Sequence, residues 1–118
     1  MTSFFSFQRL QVWQEARQLT NEIYTLTKGF PPDERFGLIS QIQRAAVSIC
    51  CNLAEGSGRS TPPDQRRFYI IAKASLLEVM NLIILSRDFD FLSKEKATEL
   101  CRKGKKLETN IQTLIRSR

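Results

Sequence analysis

Histidine is missing from this 118-residue chain. It is the commonest general base and the commonest metal ligand near neutral pH. Its absence disfavours serine or cysteine hydrolase chemistry, because the nucleophile in such enzymes usually needs a histidine to accept its proton. It also excludes the Glu-x-x-His di-metal sites that helical bundles often carry. We therefore expect a protein that is not an enzyme and that holds neither a metal nor a cofactor.

Cysteine and long apolar runs are scarce as well. The three cysteines are Cys50, Cys51 and Cys101, an odd number with two of them adjacent, which favours reduced thiols over a disulfide framework or a zinc site. No unbroken apolar run approaches the roughly 20 residues that span a bilayer. The first residues lack the basic leader of a secretory signal. We expect a cytoplasmic protein without membrane contact.

Positive charge and a balanced composition are what the chain does have. Its net charge is +6 and its pI about 9.6, which favours anionic partners through long-range attraction. Hydrophobic residues make up 42% and charged residues 25%, the proportions of a globular protein. At this length one core suffices, so residues 1–118 are predicted to form a single domain.

Apolar residues recur at steps of three and four along four segments, the pattern of amphipathic helices. Proline and glycine cluster at the breaks between segments, and Thr61 and Ser93 stand where helix caps are expected. The predicted helices cover about residues 8–28, 34–55, 62–88 and 94–116. Because short turns join them, the prediction is an all-α, antiparallel, up-down-up-down four-helix bundle.

The third predicted helix carries apolar residues on two opposite faces. Its inward stripe is predicted to be Phe68, Ala72, Ser75, Val79 and Leu82. A second stripe recurs every seven residues on the other side: Ile70, Leu77 and Ile84. A helix that is apolar on both faces is normally buried on both, and in a small bundle only another molecule covers the outer one. This stripe predicts self-association, against the alternative of a wide core stripe with a few exposed aliphatic residues.

A polar stripe runs along the second predicted helix, opposite its core face. Its members are Gln41, Arg44, Ser48, Asn52 and Glu55. Ser48 and Asn52 are poor helix formers with short polar side chains. They indicate hydrogen bonds to a neighbouring helix, either in the same bundle or in the next subunit, and the whole stripe is a candidate oligomer interface together with Ile70, Leu77 and Ile84.

The predicted topology gathers cations at one end of the bundle. At this basic pole six arginines meet only Glu55 and Asp64, a surplus of four positive charges, whereas the opposite pole is balanced. The middle of the fourth helix adds a further basic run. The candidate nucleic-acid contacts are Arg9, Arg59, Arg66, Arg67, Arg102, Lys103, Lys106, Arg116 and Arg118. The alternative is that these side chains form only a solvated surface.

The second helix also carries a recognisable motif. Gln41 to Ile49 reads QIQRAAVSI, and Asn52 to Gly56 reads NLAEG. These segments resemble the signature of the bacterial four-helix bundle family associated with 23S rRNA intervening sequences, and the likeness covers nearly the whole chain. Two departures stand out: Cys50-Cys51 replaces a pair that commonly contains proline, and Ala74 replaces a frequent glycine.

The resemblance adds expectations about assembly and partners. Members of that family look like cyclic homopentamers of such bundles. Their relatives include the accessory proteins of diversity-generating retroelements, which contact a reverse transcriptase and bind nucleic acid. The resemblance therefore implies a homopentamer, and it implies no catalytic site. Two hypotheses stay open: an oligomeric scaffold that binds RNA or DNA weakly and multivalently, and an adaptor that docks a nucleic-acid-processing enzyme without touching nucleic acid itself.

Overall fold

Four α-helices make up most of the computed structural model, which describes residues 3–118. Their bounds are α1 Gln11–Thr27, α2 Leu38–Ser57, α3 Pro62–Asp88 and α4 Lys94–Arg116. Short 3-10 helices, Ser6–Arg9 and Pro32–Glu34, precede α1 and α2. Residues 3–118 contain no β-strand. The prediction of an all-α four-helix bundle is confirmed.

The first two helices begin later than predicted. Leu10 has an extended backbone (φ −69°, ψ 126°), which separates the Ser6–Arg9 turn from α1. That turn is held by Gln8, whose Oε1 accepts hydrogen bonds of 2.9 Å from the main-chain N–H groups of Phe4 and Phe5. The Pro32–Glu34 turn likewise takes up the residues where α2 was expected to begin. α2 then continues without interruption through Cys50-Cys51 to Ser57.

The last two helices have the predicted bounds because side chains cap them. Thr61 Oγ1 accepts a hydrogen bond of 3.3 Å from the main-chain N–H of Asp64. Ser93 Oγ accepts one of 3.1 Å from that of Lys96. Such caps satisfy N–H groups that have no partner within the helix. The predicted caps at Thr61 and Ser93 are confirmed.

Each helix packs against its neighbours in the chain, and α1 also packs against α4. Paired side chains give the relative directions. Glu15 of α1 accepts a hydrogen bond from Asn110 near the end of α4, whereas Glu22, two turns later in α1, pairs with Lys103. α1 and α4 therefore run in opposite directions, and the start of α1 lies at the same end of the bundle as the end of α4.

The core is built from aliphatic side chains of all four helices. Among residues 3–118, twenty-three hydrophobic residues form one buried cluster. α3 buries more than its predicted stripe, because Tyr69, Leu76 and Ile83 are fully enclosed, whereas Ser75 is only half-buried. The reason is that α3 contacts α2 on one side and α4 on the other, so that its buried arc is wider than one stripe.

Two glycines let α3 come close to its neighbours. A Cβ at Gly56 of α2 would lie 2.8 Å from Tyr69 Cε1 and 2.9 Å from Phe68 Cβ, closer than real Cβ contacts. A Cβ at Gly104 of α4 would overlap the sulfur of Met80. The close approach of α3 to α2 and to α4 therefore depends on glycine, which has no Cβ, at these two positions. Gly56 lies in the turn of α2 nearest the basic pole, and Gly104 lies in the middle of α4.

Candidate nucleic-acid interface

Two arginines at the basic pole are neutralised by nearby carboxylates. Arg59 Nη2 lies 3.1 Å from Glu55 Oε1 and Arg59 Nε lies 3.7 Å from Asp64 Oδ2. Arg67 Nη2 lies 2.8 Å from Asp64 Oδ1. The ring of Phe68 lies 4.5 Å from both guanidinium groups, a distance at which cations and rings attract. This cluster carries as many negative as positive charges.

Two further arginines join the ends of α3 and α4. Arg66 Nη2 donates a hydrogen bond of 2.8 Å to the main-chain carbonyl of Arg118. The Arg118 guanidinium lies 5.9 Å from the ring of Tyr69. Arg118 Nε and the Tyr69 hydroxyl are buried and have no hydrogen-bond partner within residues 3–118. Arg66 and Arg118 are thus engaged in packing, and only part of each is exposed.

The other side of α4 holds a network of ion pairs with α1. Lys103 Nζ lies 2.7 Å from Glu22 Oε1 and 3.4 Å from Glu99 Oε1, and the hydrogen bond to Glu22 raises the pKa of Lys103. Lys96 reaches the same two carboxylates at 3.6 and 3.4 Å and lowers the pKa of Glu99. The charge of Lys103 is therefore already paired with carboxylates of the same chain.

Four of the nine candidate cations are exposed and free of such pairing. They make no ion pair with any residue from 3 to 118, and they are Arg9, Arg102, Lys106 and Arg116. Arg9 ends the turn before α1, and the other three lie on α4. An unpaired exposed cation is the kind of group that attracts phosphate without first breaking an internal contact.

Two lysines that the sequence analysis did not select lie close to this surface. Lys73 of α3 and Lys105 of α4 line a groove of about 310 Å³ between the two helices, and Arg116 lines it too. Lys105 belongs to the basic run that was noticed in the sequence. Lys73 had no such signal, because it stands alone between apolar residues and its neighbourhood depends on how α3 packs against α4.

The predicted second stripe of α3 lies on the outside of the bundle. Ile70 is 50% exposed, Leu77 48% and Ile84 39%. Ile71, on the same helix, is 40% exposed. We call the ridge formed by Ile70, Leu77 and Ile84 the apolar ridge. None of the large hydrophobic residues of α4 is exposed to this extent, and α1 and α2 expose one each, Tyr24 at 42% and Val47 at 39%, whereas α3 exposes a row of them.

The polar stripe of α2 divides into two groups. Gln41, Arg44 and Glu55 are exposed. Ser48 and Asn52 bond within the bundle: Ser48 Oγ lies 2.8 Å from Ser75 Oγ of α3, and Asn52 Nδ2 donates to the carbonyl of Ser48 at 2.8 Å. Sequence analysis left open whether Ser48 and Asn52 bond within their own bundle or to the next subunit; the hydrogen bonds described here lie within the bundle. Their part in an interface between copies stays a prediction.

The three cysteines differ in exposure: Cys51 is exposed, whereas Cys50 and Cys101 are half-buried. Cys50 is half-buried beside Thr20, with Sγ 3.4 Å from Thr20 Oγ1, and burial raises the pKa of the Cys50 thiol. All three cysteines are free. Within residues 3–118 no group of three or more acidic or cysteine side chains is placed to hold a metal ion. Phe7 packs edge-on against Trp13 at 5.2 Å between ring centroids, whereas Phe4 stays exposed.

α3 is long and apolar enough to cross a membrane when length and composition alone are considered. It is also the helix that packs against both α2 and α4, and its inner face lies in the bundle core. A core helix of a globular bundle meets the same criterion. The composition of α3 is accounted for by the core on one side and the apolar ridge on the other.

Comparison with known protein families agrees with the architecture described above. The model of the 23S rRNA-intervening sequence protein family matches residues 8–113. The chain belongs to this family. The match includes all of α1, α2 and α3 and most of α4, so membership concerns the whole bundle rather than one motif. No curated protein matches the chain.

A solved structure shows the same fold. It is the crystal structure of a protein with unknown function from the S23 ribosomal protein family of Bacteroides thetaiotaomicron. The two chains are 18% identical, the TM-score is 0.81, and the match covers 88% of this chain and 97% of that one. At this identity the likeness concerns the fold alone.

Proposed function

We propose that this family member is a non-enzymatic, cytoplasmic scaffold that binds RNA or DNA through an exposed basic surface. The observation that supports the proposal best is the set of exposed cations that make no ion pair within residues 3–118: Arg9, Arg102, Lys106 and Arg116. A protein that neutralises phosphates releases their counterions, which favours binding at low salt whatever the base sequence. Four such cations in one copy predict weak binding.

Assembly into a ring would strengthen this weak contact. The apolar ridge supports self-association, because its three aliphatic side chains are about 40 to 50% exposed. A homopentamer is the state that the family resemblance implies, and it would present several basic surfaces at once. Linked sites that bind one long ligand gain an avidity of about 10²–10⁴ over a single site when the geometry allows simultaneous contact.

Electrophoretic mobility shift tests the proposal. Structured RNA and single-stranded DNA are each titrated with the protein at about 50 mM and about 200 mM salt, the range over which phosphate contacts lose much of their affinity. We expect retardation at micromolar protein at the lower salt and its loss at the higher. The absence of any retardation at low salt would contradict the proposal.

A protein-docking adaptor is the second candidate, and the apolar ridge favours it too. An exposed aliphatic ridge fits a protein surface better than it fits a phosphate chain. In that case the positive charge serves solubility or an acidic partner. Pull-down of the tagged protein with and without nuclease treatment separates the two, because an adaptor keeps its partner after nucleic acid has been digested and a nucleic-acid scaffold loses it.

A further inference from the structure

The groove between α3 and α4 differs from the rest of the basic surface in shape and in charge. Its volume is about 310 Å³, and it is lined by Lys73 of α3 and by residues of α4 from Lys105 to Arg116. At 1.5 Å per residue this stretch of α4 is about 16 Å long. Phosphates of one duplex strand are spaced by about 3.4 Å along the helix axis and lie farther apart along the backbone itself. The groove is therefore long enough for two or more consecutive phosphates.

The groove carries a surplus of positive charge, and two of its three cations, Lys105 and Arg116, are exposed. Lys73 Nζ donates a hydrogen bond of 2.8 Å to Gln112 Oε1, an uncharged acceptor, so that its charge is not neutralised. Lys105 pairs with Glu108 at 2.9 Å, yet its side chain is 78% exposed and that of Glu108 only 20%. Arg116 makes no ion pair with any residue from 3 to 118. Three cations face one carboxylate.

Aromatic side chains are absent from the described lining of the groove. The two rings on this end of α3 are buried: Phe68 is 8% exposed and has the guanidinium groups of Arg59 and Arg67 at 4.5 Å, and Tyr69 is fully enclosed. Proteins that bind single strands usually stack the bases on aromatic rings. The groove offers charge without stacking, and that combination selects the phosphate backbone rather than the bases.

We propose that the α3–α4 groove is the track for the sugar-phosphate backbone of a nucleic acid, with Lys73, Lys105 and Arg116 as its phosphate contacts and with no reading of the bases. This inference rests on the proposed function and assigns it a location. Glu108 is then the residue that limits affinity, since it is the single carboxylate in the track.

Fluorescence anisotropy of a labelled 20-nucleotide single strand tests the track, with the affinity measured over a series of salt concentrations. The groove variant is the double mutant Lys73→Gln/Lys105→Gln. The control is Lys28→Gln/Lys94→Gln, which removes the same charge next to the ends of α1 and α4 that lie away from Arg116. A third variant, Glu108→Gln, adds one unit of positive charge to the groove.

We expect the groove variant to bind roughly tenfold more weakly and to lower the slope of log K against log salt by about 1 to 2, because about one contact is lost for each lysine. The control should change affinity by less than about threefold, and Glu108→Gln should tighten binding. Equal weakening of the groove and control variants would overturn the track while leaving the proposed function standing. Failure of the wild type to bind would overturn both.

An abasic strand with the same number of phosphates tests the absence of base reading. We expect the wild type to bind it within about threefold of the ordinary strand, because only phosphates are contacted. A loss of more than about tenfold on the abasic strand would show that bases are bound, and it would overturn the backbone-only assignment. Circular dichroism of each variant confirms that the helices are intact.

Discussion

The outer faces of α3 and α4 differ although their inner faces are built alike. Both helices bury aliphatic side chains against the same core. Outside, α3 presents the apolar ridge, whereas the exposed positions of α4 are polar or charged. The inner faces are what the fold requires, and the outer faces are free to serve partners. Under the proposals made above, the apolar ridge of α3 contacts another copy, whereas phosphates are bound by α4 together with Lys73 of α3.

The largest expected effect comes from placing a charge on the apolar ridge. Leu77→Glu should convert the proposed oligomer to monomers, because a carboxylate buried in an apolar interface without a partner costs several kcal/mol. The bundle itself should stay helical, since Leu77 is 48% exposed in the single chain. Sedimentation velocity measures the mass, and circular dichroism measures the helix content.

The matched control for this variant is Thr98→Glu, which places the same charge on an exposed position of α4. We expect it to leave the mass unchanged. If the wild type itself sediments as a monomer at high micromolar concentration, or if Leu77→Glu keeps the wild-type mass, the assignment of protein contact to the outer face of α3 is wrong.

Substitutions at the two close-packed glycines test how tightly α3 packs against α2, at Gly56, and against α4, at Gly104. Gly56→Ala should lower the free energy of unfolding by about 1–3 kcal/mol, because its Cβ would meet Phe68 Cβ and the ring of Tyr69, which the core holds in place. Gly104→Ala should cost less, since Met80 is flexible and alanine favours the helix by about 1 kcal/mol. Urea denaturation measures both, and a Gly56→Ala protein as stable as the wild type would contradict this account of the packing.

The bond between Ser48 and Ser75 should make a smaller contribution. Its Oγ–Oγ distance is 2.8 Å, and an internal hydrogen bond contributes about 1 kcal/mol to stability. Ser75→Ala should destabilise by about that amount and Ser48→Ala by somewhat more, because Ser48 Oγ also accepts a hydrogen bond of 3.1 Å from Asn52 Nδ2; the double variant should cost no more than Ser48→Ala alone. Simple additivity in this cycle would mean that the two hydroxyls do not interact.

The smallest expected effect concerns the ion pairs between α1 and α4. Glu22→Gln removes the partner of Lys103 and Lys96, but exposed pairs contribute about 0.2–1 kcal/mol at most. We expect a change below about 1 kcal/mol in the urea experiment, and slightly tighter binding of nucleic acid because one of the two carboxylates beside Lys96 and Lys103 loses its charge, while Glu99 still pairs with both lysines. A larger loss of stability would show that this network holds the bundle together.

Much of the architecture could be predicted from local sequence signals. Thr61 and Ser93 are caps that act on the next few residues, so the starts of α3 and α4 were read correctly. The start of α1 was not, because the extended backbone of Leu10 follows a turn that Gln8 stabilises. That turn depends on side-chain bonding that periodicity does not contain.

The candidate site was harder to predict, because the availability of a charge depends on tertiary neighbours. The sequence treats Arg59 and Arg116 alike, yet Arg59 reaches Asp64 across the turn between α2 and α3 while Arg116 has no partner among residues 3–118. Lys73 was missed for the same reason. Its place in the groove follows from the packing of α3 on α4 and from no pattern along the chain.

The affinity of the wild type and of Leu77→Glu for one long single strand at about 50 mM salt tests the central claim most directly, namely that α3 joins copies so that their basic surfaces bind together. The account predicts that the wild type binds the long strand at least about 10²-fold more tightly than the monomeric variant, whereas a strand too short to reach a second copy shows only the loss of about tenfold or less that one carboxylate added a turn away from Lys73 causes. Equal affinity of the two proteins for the long strand would contradict it.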